Sequence, residues 1–496
     1  MESILNEEKQ MTGLAKQPGA SSAGKAWDVI KWQTVQLQVK RLQMRIAKAT
    51  REGRWNKVKA LQRLLASSYY AKLLAVKRVT ENRGGKTPGI DNIIWRTPRQ
   101  KMEAALSLKK KGYRTKPLKR IYIPKKNRKL RPLSIPCMVD RGMQALYLLA
   151  LEPVTEMIAD KHSYGFRPKR STTDAIEQCF ISLARRGSAQ FVLEGDIEAC
   201  FDSISQPWML KNITMDKMML KKWFDAGYLD KGKLYQMDKG TPQGGLISPT
   251  ILVATMSGLE KAIKAISKPK DKINIITYAD DFIVTGATAE LLENKVKPVI
   301  TAFLNERGLN LSPEKTKITH IQDGFDFLGF NVRKYGNKFL TKPSKESIKR
   351  FLGDIRETIK ANRNAKTEIL INLLNPKIRG WGNYFRHSAS KATYSYIDSH
   401  IYNALWQWAK RRHPNKSVRW VRKKYFRSQG MRHWIFYAKV QSEEKKLSNL
   451  DLFYMSTILI KRHVKIRSIA TPYDPAFNEY FKERGEKRLK VEELGQ

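Results

Sequence analysis

The stretch Thr277-Tyr278-Ala279-Asp280-Asp281-Phe282-Ile283-Val284 places two adjacent acids between two runs of β-forming residues. This pattern predicts a hairpin whose tip presents Asp280 and Asp281 at the edge of a sheet. Two neighbouring carboxylates repel each other and resist burial unless a cation or a proton intervenes. An isolated pair of this kind is more typical of a solvated turn, so its meaning depends on the residues around it.

A third acid, Asp196, ends another predicted strand earlier in the chain. That strand is Phe191-Val192-Leu193, and Glu194-Gly195-Asp196 continues it. If it lies next to the hairpin, three carboxylates come together and form an oxygen-rich site suited to Mg²⁺. Nucleotidyl transfer uses two such ions about 3.5–4 Å apart. Spacing alone permits this interpretation and does not prove it.

Further motifs lie on both sides of the hairpin. They are Lys119-Arg120-Ile121-Tyr122-Ile123-Pro124-Lys125 continued by Arg131-Pro132-Leu133-Ser134-Ile135-Pro136, Ser163-Tyr164-Gly165-Phe166-Arg167-Pro168, Gly240-Thr241-Pro242-Gln243-Gly244-Gly245-Leu246-Ile247-Ser248-Pro249, Gly308-Leu309-Asn310-Leu311-Ser312-Pro313-Glu314-Lys315-Thr316-Lys317, and Phe325-Asp326-Phe327-Leu328-Gly329-Phe330. Together with Tyr278-Ala279-Asp280-Asp281, these motifs and their order resemble a group II intron-encoded reverse transcriptase and maturase of bacterial or organellar type.

The resemblance implies an α/β (α+β) right-hand polymerase. Fingers and palm with a mixed sheet would be followed by an α-helical thumb or maturase domain and a basic C-terminal DNA-binding region. Alternating strand and helix signals from Ile121 to Phe330 also favour a mixed α/β domain. The expected divisions are a mobile tail at 1–27, an N-terminal extension and start of the fingers at 28–118, a fingers and palm reverse transcriptase domain at 119–342, a thumb or maturase (X) domain at 343–428, and the DNA-binding region at 429–496.

The resemblance also implies roles for the matched residues. Asp196, Asp280 and Asp281 would be catalytic and would bind two Mg²⁺ ions, with Mn²⁺ as a substitute and a backbone carbonyl of Ile197 as a further ligand. The incoming dNTP would contact Lys125, Arg131, Gln243 and Phe201, whose ring would exclude a ribose 2′-hydroxyl. Lys315 would lie near the primer and template, and Leu328 and Gly329 would support the primer end. Each residue also has a plainer interpretation, as a core aromatic, a tight turn or a solvated charge.

Composition favours a nucleic-acid partner. The 496 residues include 94 Lys and Arg against 46 Asp and Glu, a formal net charge of +48 that calls for a polyanion. A basic protein at a membrane surface is the alternative, but the chain shows no signal peptide, membrane span or lipidation motif. The predicted location is therefore the bacterial cytoplasm or an organellar matrix, with no membrane partner. The three cysteines have no paired spacing for a disulfide or a zinc site.

The last third of the chain carries a dense basic segment. Residues 410–426 include eight Lys or Arg and no acid, interleaved with aromatics. Basic side chains on a helix follow phosphates and aromatics stack on unpaired bases, although a solvated basic face is the alternative. The predicted RNA-binding residues are Lys410, Arg411, Arg412, Arg419, Arg422, Lys423 and Lys424, whereas Trp406 and Trp408 are predicted to be core residues. Because no cysteine follows Cys200, a zinc-supported C-terminal HNH endonuclease domain is not expected.

The predicted function is that of an RNA-directed DNA polymerase encoded by a group II intron. The resemblance implies that it extends a DNA primer on an RNA template with dNTPs. It also implies that the protein binds intron RNA in a ribonucleoprotein to promote splicing, and that it supports retrohoming by target-primed reverse transcription at target DNA. Two alternatives stay open: a splicing maturase or RNA-binding scaffold with a silent polymerase site, and a domesticated reverse transcriptase used in DNA repair or defence.

Overall fold

The computed structural model describes residues 26–124, 130–241, 244–441 and 447–493, with the backbone alone for 487–493. Residues 1–25 of the predicted tail lie outside these ranges, and residues 26 and 27 lie within them. Lys125 and Gln243 also lie outside the described residues.

The N-terminal part of the chain is helical. Helices α1 (Trp32–Arg51), α2 (Trp55–Ser67), α3 (Tyr69–Glu81) and α4 (Pro98–Ser107) follow one another. The apolar face of α1 is buried at Val35, Val39 and Ile46. Helices α1, α2 and α3 pack on α5 (Met138–Ile158), a 21-residue helix that is buried along most of its length, and α4 packs on α3. The N-terminal helices and α5 therefore share one core.

The fingers contain a four-stranded sheet in the order β2-β1-β4-β5. Its strands are β1 (Leu118–Pro124), β2 (Leu130–Ile135), β4 (Tyr228–Asp230) and β5 (Lys233–Tyr235). Strands β1 and β2 are antiparallel, whereas β1 and β4 are parallel, so the sheet is mixed as predicted. The short helices α7 (Cys200–Ser203), α8 (Gln206–Asn212) and α9 (Lys217–Phe224) precede β4.

The palm is built on an antiparallel sheet in the order β6-β7-β3-β8. Its strands are β3 (Phe191–Asp196), β6 (Asn274–Tyr278), β7 (Asp281–Gly286) and β8 (Lys317–His320). The accompanying helices are α6 (Thr172–Leu183), α10 (Ser248–Met256), α11 (Leu259–Ala265), α12 (Ala289–Leu291) and α13 (Lys297–Asn305), the last two joined by the π-helical turn Leu292–Val296.

The palm sheet separates two hydrophobic cores. Phe282 and Val284 of β7 face the core formed with the N-terminal helices, and Ile283 faces the core shared with the thumb. This alternation follows from the two-residue period of a strand. Both faces of the sheet are therefore buried, which fixes its register and the position of the strand ends.

The thumb is helical, as predicted. A small sheet of β9 (Phe325–Phe327), β10 (Phe330–Tyr335) and β11 (Lys338–Pro343) leads into α14 (Lys345–Ala361), α15 (Thr367–Phe385), α16 (Lys391–Arg412) and α17 (Val418–Tyr425). In α16 an apolar stripe is buried: Tyr394, Ile397, Ile401, Leu405 and Trp408. The domain boundary predicted at 342/343 falls before the last residue of β11.

A three-stranded sheet that was not predicted follows the thumb helices. It consists of β12 (Phe426–Gln429), β13 (Arg432–Gln441) and β14 (Leu447–Asp451). The boundary predicted at 428/429 falls inside the β12–β13 hairpin, so the two segments that it separates share a sheet. Helix α18 (Asn478–Glu493) ends the described chain. Within the described ranges, no helix is both long and apolar enough to cross a membrane.

Candidate active site

The three predicted aspartates meet at one edge of the palm sheet. Strands β3 and β7 pair so that Asp196 lies opposite Asp281, and β6 pairs with β7 so that Tyr278 lies opposite Asp281. Ala279 and Asp280 form the two-residue turn between them, with a left-handed φ of 60° at Ala279. A positive φ at the first turn position matches the twist of a tight hairpin. The hairpin tip therefore presents adjacent acids beside a third acid at the end of β3.

Burial and neighbouring like charges together determine the electrostatics of this edge. Burial raises the pKa of Asp281 to about 6, and the carboxylates of Asp280 and Asp196 add to the effect. Burial also raises the pKa of Asp280, with a further contribution from Asp196. Lys315 Nζ lies 2.8 Å from Asp196 Oδ2, and this hydrogen bond raises the pKa of Lys315. A site with this charge pattern favours a bound cation.

The donor set fits a divalent metal ion in its chemistry. Three carboxylates supply the oxygen ligands that Mg²⁺ prefers. In the described part of the chain, however, no three acidic, imidazole or thiolate side chains converge closely enough to enclose an ion. The ammonium group of Lys315 supplies positive charge at Asp196 instead. Metal binding at these aspartates would therefore require a local adjustment of side chains.

Ile197 and Lys315 are held next to Asp196 by a backbone contact. Ile197 forms an antiparallel bridge with Leu311, and the Ser312 N–H donates to the Asp196 carbonyl over 2.8 Å. The Ile197 side chain is buried. This pairing explains why a motif far along the chain places Lys315 at the aspartates.

Phe201 lies at the junction between the palm and the 240–248 segment. Its ring is partly buried and meets the ring of Phe166 edge-on at a centroid distance of 6.2 Å. The Thr241 N–H donates to the Phe201 carbonyl over 2.7 Å. A Cβ added at Gly240 would lie 2.5 Å from the same carbonyl oxygen, so this close approach requires glycine. Gly240 and Thr241 are thereby anchored beside Phe201.

Arg131 belongs to the fingers and faces the same site. It lies on β2, opposite Ile123 of β1. Its positive charge lowers the pKa of Asp280, against the larger effect of burial. The structure therefore brings Arg131 within electrostatic reach of the aspartates.

Leu328 and Gly329 form the turn between β9 and β10. Both have positive φ, 51° and 81°, and Phe327 pairs with Phe330 across the turn. The thumb holds this turn because the Tyr384 hydroxyl donates to the Leu328 carbonyl over 2.9 Å. The predicted primer-supporting turn is thus a tight two-residue hairpin in contact with α15.

The predicted RNA-binding residues differ in their surroundings. Exposed positions are Lys410, Arg411, Arg419, Arg422, Lys423 and Lys424. Arg412 is partly buried, donates to the Ala365 carbonyl over 2.6 Å and lies over the Trp408 ring. These contacts hold the loop between α14 and α15. Trp408 is buried and Trp406 packs against the same core, which confirms the prediction for both.

Part of the Ser163–Pro168 motif supports the hairpin from outside, a role that the sequence did not predict. Residues 162–165 run beside β6, where the Tyr164 N–H donates to the Thr277 carbonyl over 2.9 Å. Arg167 fixes this segment, since its buried guanidinium pairs with Glu156 and donates to the carbonyls of Asp160 and Ser163. Gly165 and Arg167 of the Ser163–Pro168 motif were the residues in the sequence that could have indicated this supporting role.

A palm sheet with three carboxylates at adjoining strand ends, flanked by fingers and a helical thumb, defines a right-hand nucleic-acid polymerase. Three family models match the chain in order. They describe an N-terminal domain of reverse transcriptase at residues 27–108, a reverse transcriptase (RNA-dependent DNA polymerase) at 123–332, and a group II intron maturase-specific domain at 348–426.

Curated relatives agree with these models. Protein YkfC of Escherichia coli is 30% identical over 326 residues, which cover 56% of this chain and 85% of the relative. The group II intron-encoded protein LtrA of Lactococcus lactis is 26% identical over 411 residues, covering 63% of this chain and 68% of the relative. An uncharacterized 91 kDa protein in a cob intron of Schizosaccharomyces pombe is 27% identical over 380 residues, which cover 59% of this chain and 46% of the relative.

The chain belongs to the family of group II intron reverse transcriptases and maturases. It is an RNA-directed DNA polymerase with a maturase-specific domain, as the sequence motifs predicted. Reverse transcriptases use divalent metal ions, and the maturase-specific domain indicates RNA binding.

Proposed function

We propose that DNA synthesis takes place at Asp196, Asp280 and Asp281, which hold two Mg²⁺ ions. The observation that supports this proposal is the pairing of Asp196 with Asp281 across β3 and β7, with Asp280 on the adjoining turn. The raised pKa values of Asp280 and Asp281 support it further, because a bound cation offsets both the burial and the carboxylate repulsion that raise them. When bound, the ions activate the primer 3′-hydroxyl and stabilise charge on the transferred phosphate.

The surrounding residues position the substrates. Arg131 and Lys125 bind the triphosphate, since a guanidinium fork and an ammonium both fit phosphate oxygens. The ring of Phe201 excludes a 2′-hydroxyl and so selects dNTPs, and Gln243 lies against the new base pair. Ile197 offers a carbonyl to the metals, Lys315 contacts the primer–template backbone, and the Leu328–Gly329 turn supports the primer end. The roles of Lys125 and Gln243 are inferred from the resemblance alone.

The non-enzymatic role that we propose is binding of intron RNA. The exposed basic side chains of α16 and α17 would follow RNA phosphates, so that the bound intron keeps its splicing-competent fold. The same ribonucleoprotein would act on target DNA and copy the intron by target-primed reverse transcription. It would work where intron RNA is made, in the bacterial cytoplasm or an organellar matrix.

Primer extension on an RNA template tests the assignment of the site. Wild type and Asp280→Asn are compared with dNTPs and Mg²⁺, and the exposed turn residue Asp323 supplies the matched control Asp323→Asn. We expect extension by wild type and the control, and at least a 100-fold lower rate for Asp280→Asn. The electrostatic basis is that one carboxylate of a metal site contributes several kcal/mol to the transition state.

Binding of the same RNA is measured in parallel as a check of folding. Full extension by Asp280→Asn would remove that residue from the metal site. No extension by folded, RNA-binding wild type would leave the splicing maturase with a silent polymerase site as the function.

A further inference from the structure

A second concave site lies between the N-terminal helices and the fingers. It is a cavity of about 750 Å³ bounded by α2, α3, α5, the segment after α4 and the start of α9. Pockets of several hundred Å³ are the size that small organic ligands occupy. None of the residues that line it belongs to the candidate active site.

The lining of this cavity is strongly cationic. Seven basic residues take part: Lys59, Arg63, Lys72, Lys109, Lys110, Lys111 and Lys217. The carboxylate among the described lining residues, Asp216, is already engaged, because it pairs with Lys110 and accepts a hydrogen bond from the Met219 N–H at the start of α9. The cavity therefore concentrates positive charge that its own acid does not balance, which favours an anionic ligand.

Two of the lysines have lowered pKa values, and one of them, Lys72, is partly buried. Burial lowers the pKa of Lys72, and the nearby charge of Lys109 lowers it further. Burial and the charge of Lys59 act in the same direction on Lys217. Like charges gathered in a concave site disfavour the empty state, and a phosphate group would relieve this repulsion through charge-assisted hydrogen bonds.

The floor of the cavity is apolar. It is formed by buried side chains, namely Leu108, Met143, Leu146, Tyr147, Ala150 and Met215. Methionine side chains adapt to flat ligands, and an apolar and aromatic surface beside cations suits a nucleobase attached to a phosphate. An acidic peptide would satisfy the lysines but would leave the apolar floor without a matching group.

We infer that this cavity binds a nucleotide, with its phosphates on Lys72, Lys109 and the neighbouring basic residues and its base against the apolar floor. The nucleotide is either free or a residue of an RNA strand, since both present the same chemistry. This site is separate from the proposed polymerase site, so failure of one assignment leaves the other intact.

The methionines of the floor allow a local test by NMR of methyl-¹³C-methionine protein. ATP, inorganic tripolyphosphate, single-stranded hexaadenylate and a hexaglutamate peptide are titrated without divalent metal, which keeps nucleotide out of the polymerase site. We expect ATP or hexaadenylate to shift the methyl signals of Met143 and Met215 to saturation. Saturation by ATP identifies a free nucleotide, and saturation by hexaadenylate alone identifies RNA.

Paired variants check that the lysines hold the ligand. The double substitution Lys72→Gln and Lys109→Gln should weaken binding at least ten-fold. The control substitutions Lys57→Gln and Lys261→Gln change exposed lysines outside the cavity and should leave the affinity unchanged. The signal of the buried Met455 verifies the fold of each variant. Unshifted floor methionines, equal affinity for hexaglutamate or tripolyphosphate, or no effect of the cavity substitutions would each overturn the inference.

Discussion

Lys315 shows how a single side chain can balance a cluster of carboxylates. Its ammonium group lies 2.8 Å from Asp196 Oδ2, and the charges of Asp281 and Asp280 also raise its pKa. A divalent ion bound by Asp196 would compete with this ammonium for the same oxygen. The lysine side chain is mostly exposed, so it is free to move away from Asp196 if a metal ion binds there.

Lys315→Gln should therefore lower the Mg²⁺ concentration that gives half-maximal primer extension. An exposed ion pair is worth up to about 1 kcal/mol, which corresponds to roughly a five-fold change. The matched control is Lys317→Gln. Lys317 of β8 pairs with Glu194 of the neighbouring strand β3 and lies outside the aspartate cluster. An unchanged or higher Mg²⁺ requirement for Lys315→Gln would show that the ammonium and the metal do not compete.

At the scale of elements, the catalytic hairpin depends on a segment that is not part of it. Residues 162–165 lie against β6, and Gly165 touches the turn itself. A Cβ added at Gly165 would lie 2.2 Å from the Ala279 backbone nitrogen and 2.8 Å from the Tyr278 carbonyl carbon. Since both obstacles are backbone atoms, the turn that carries Asp280 would have to move.

Gly165→Ala should reduce the rate of primer extension about 100-fold while RNA binding is retained. A displacement of about 1 Å at a reacting group has an effect of this size. Gly187→Ala is the control, because a Cβ there meets no atom within 4 Å and the residue has no positive φ. Wild-type extension by a folded Gly165→Ala protein would show that the hairpin position tolerates the shift.

Local signals predicted the elements that build the site and missed those that lack such signals. Strand β3 begins with the apolar run Phe191-Val192-Leu193, β6 contains the β-branched run Ile275-Ile276-Thr277, and Gly308 marks the helix end before Lys315. By contrast, β13 mixes cations and aromatics, and its exposed and buried positions do not alternate. The register that places Asp196 opposite Asp281 depends on burial of both sheet faces, which no local pattern encodes.

The C-terminal segment connects distant parts of the whole molecule. After β14 the chain returns to the palm, where His463 and Arg484 donate to the buried Asp174 of α6 over 2.8 and 3.0 Å. Asp474 then pairs with Arg51 of α1 over 2.6 Å. The basic composition of 429–496 predicted only a nucleic-acid surface, because contacts between residues so far apart in sequence leave no local pattern.

Asp174→Asn should weaken the attachment of the C-terminal segment, residues 463–484, to α6. Burial alone would raise the pKa of Asp174, but the hydrogen bonds from His463 and the Ile466 N–H outweigh it and lower the pKa to about 2. A carboxyl with a lowered folded-state pKa stabilises the fold above its unfolded pKa of about 3.9, and that stability, about 2–3 kcal/mol, is lost as the pH falls toward 2. Breaking the buried pair by substitution should cost about 3 kcal/mol at pH 7.

Two measurements check this expectation. Urea unfolding should show a lower free energy for Asp174→Asn at pH 5 to 7, and the difference from wild type should shrink as the pH falls below about 4. Amide hydrogen exchange should rise in residues 463–484, which the carboxylate ties to α6, because a segment that loses its buried partner opens more often.

Glu177→Gln is a suitable control. Glu177 lies on the same helix as Asp174 and contacts Arg462 at 3.5 Å, but it is outside the buried cluster around Asp174. Equal exchange in Asp174→Asn and wild type would mean that apolar packing alone, for example by Ile466 and Ala470, holds the segment on the palm.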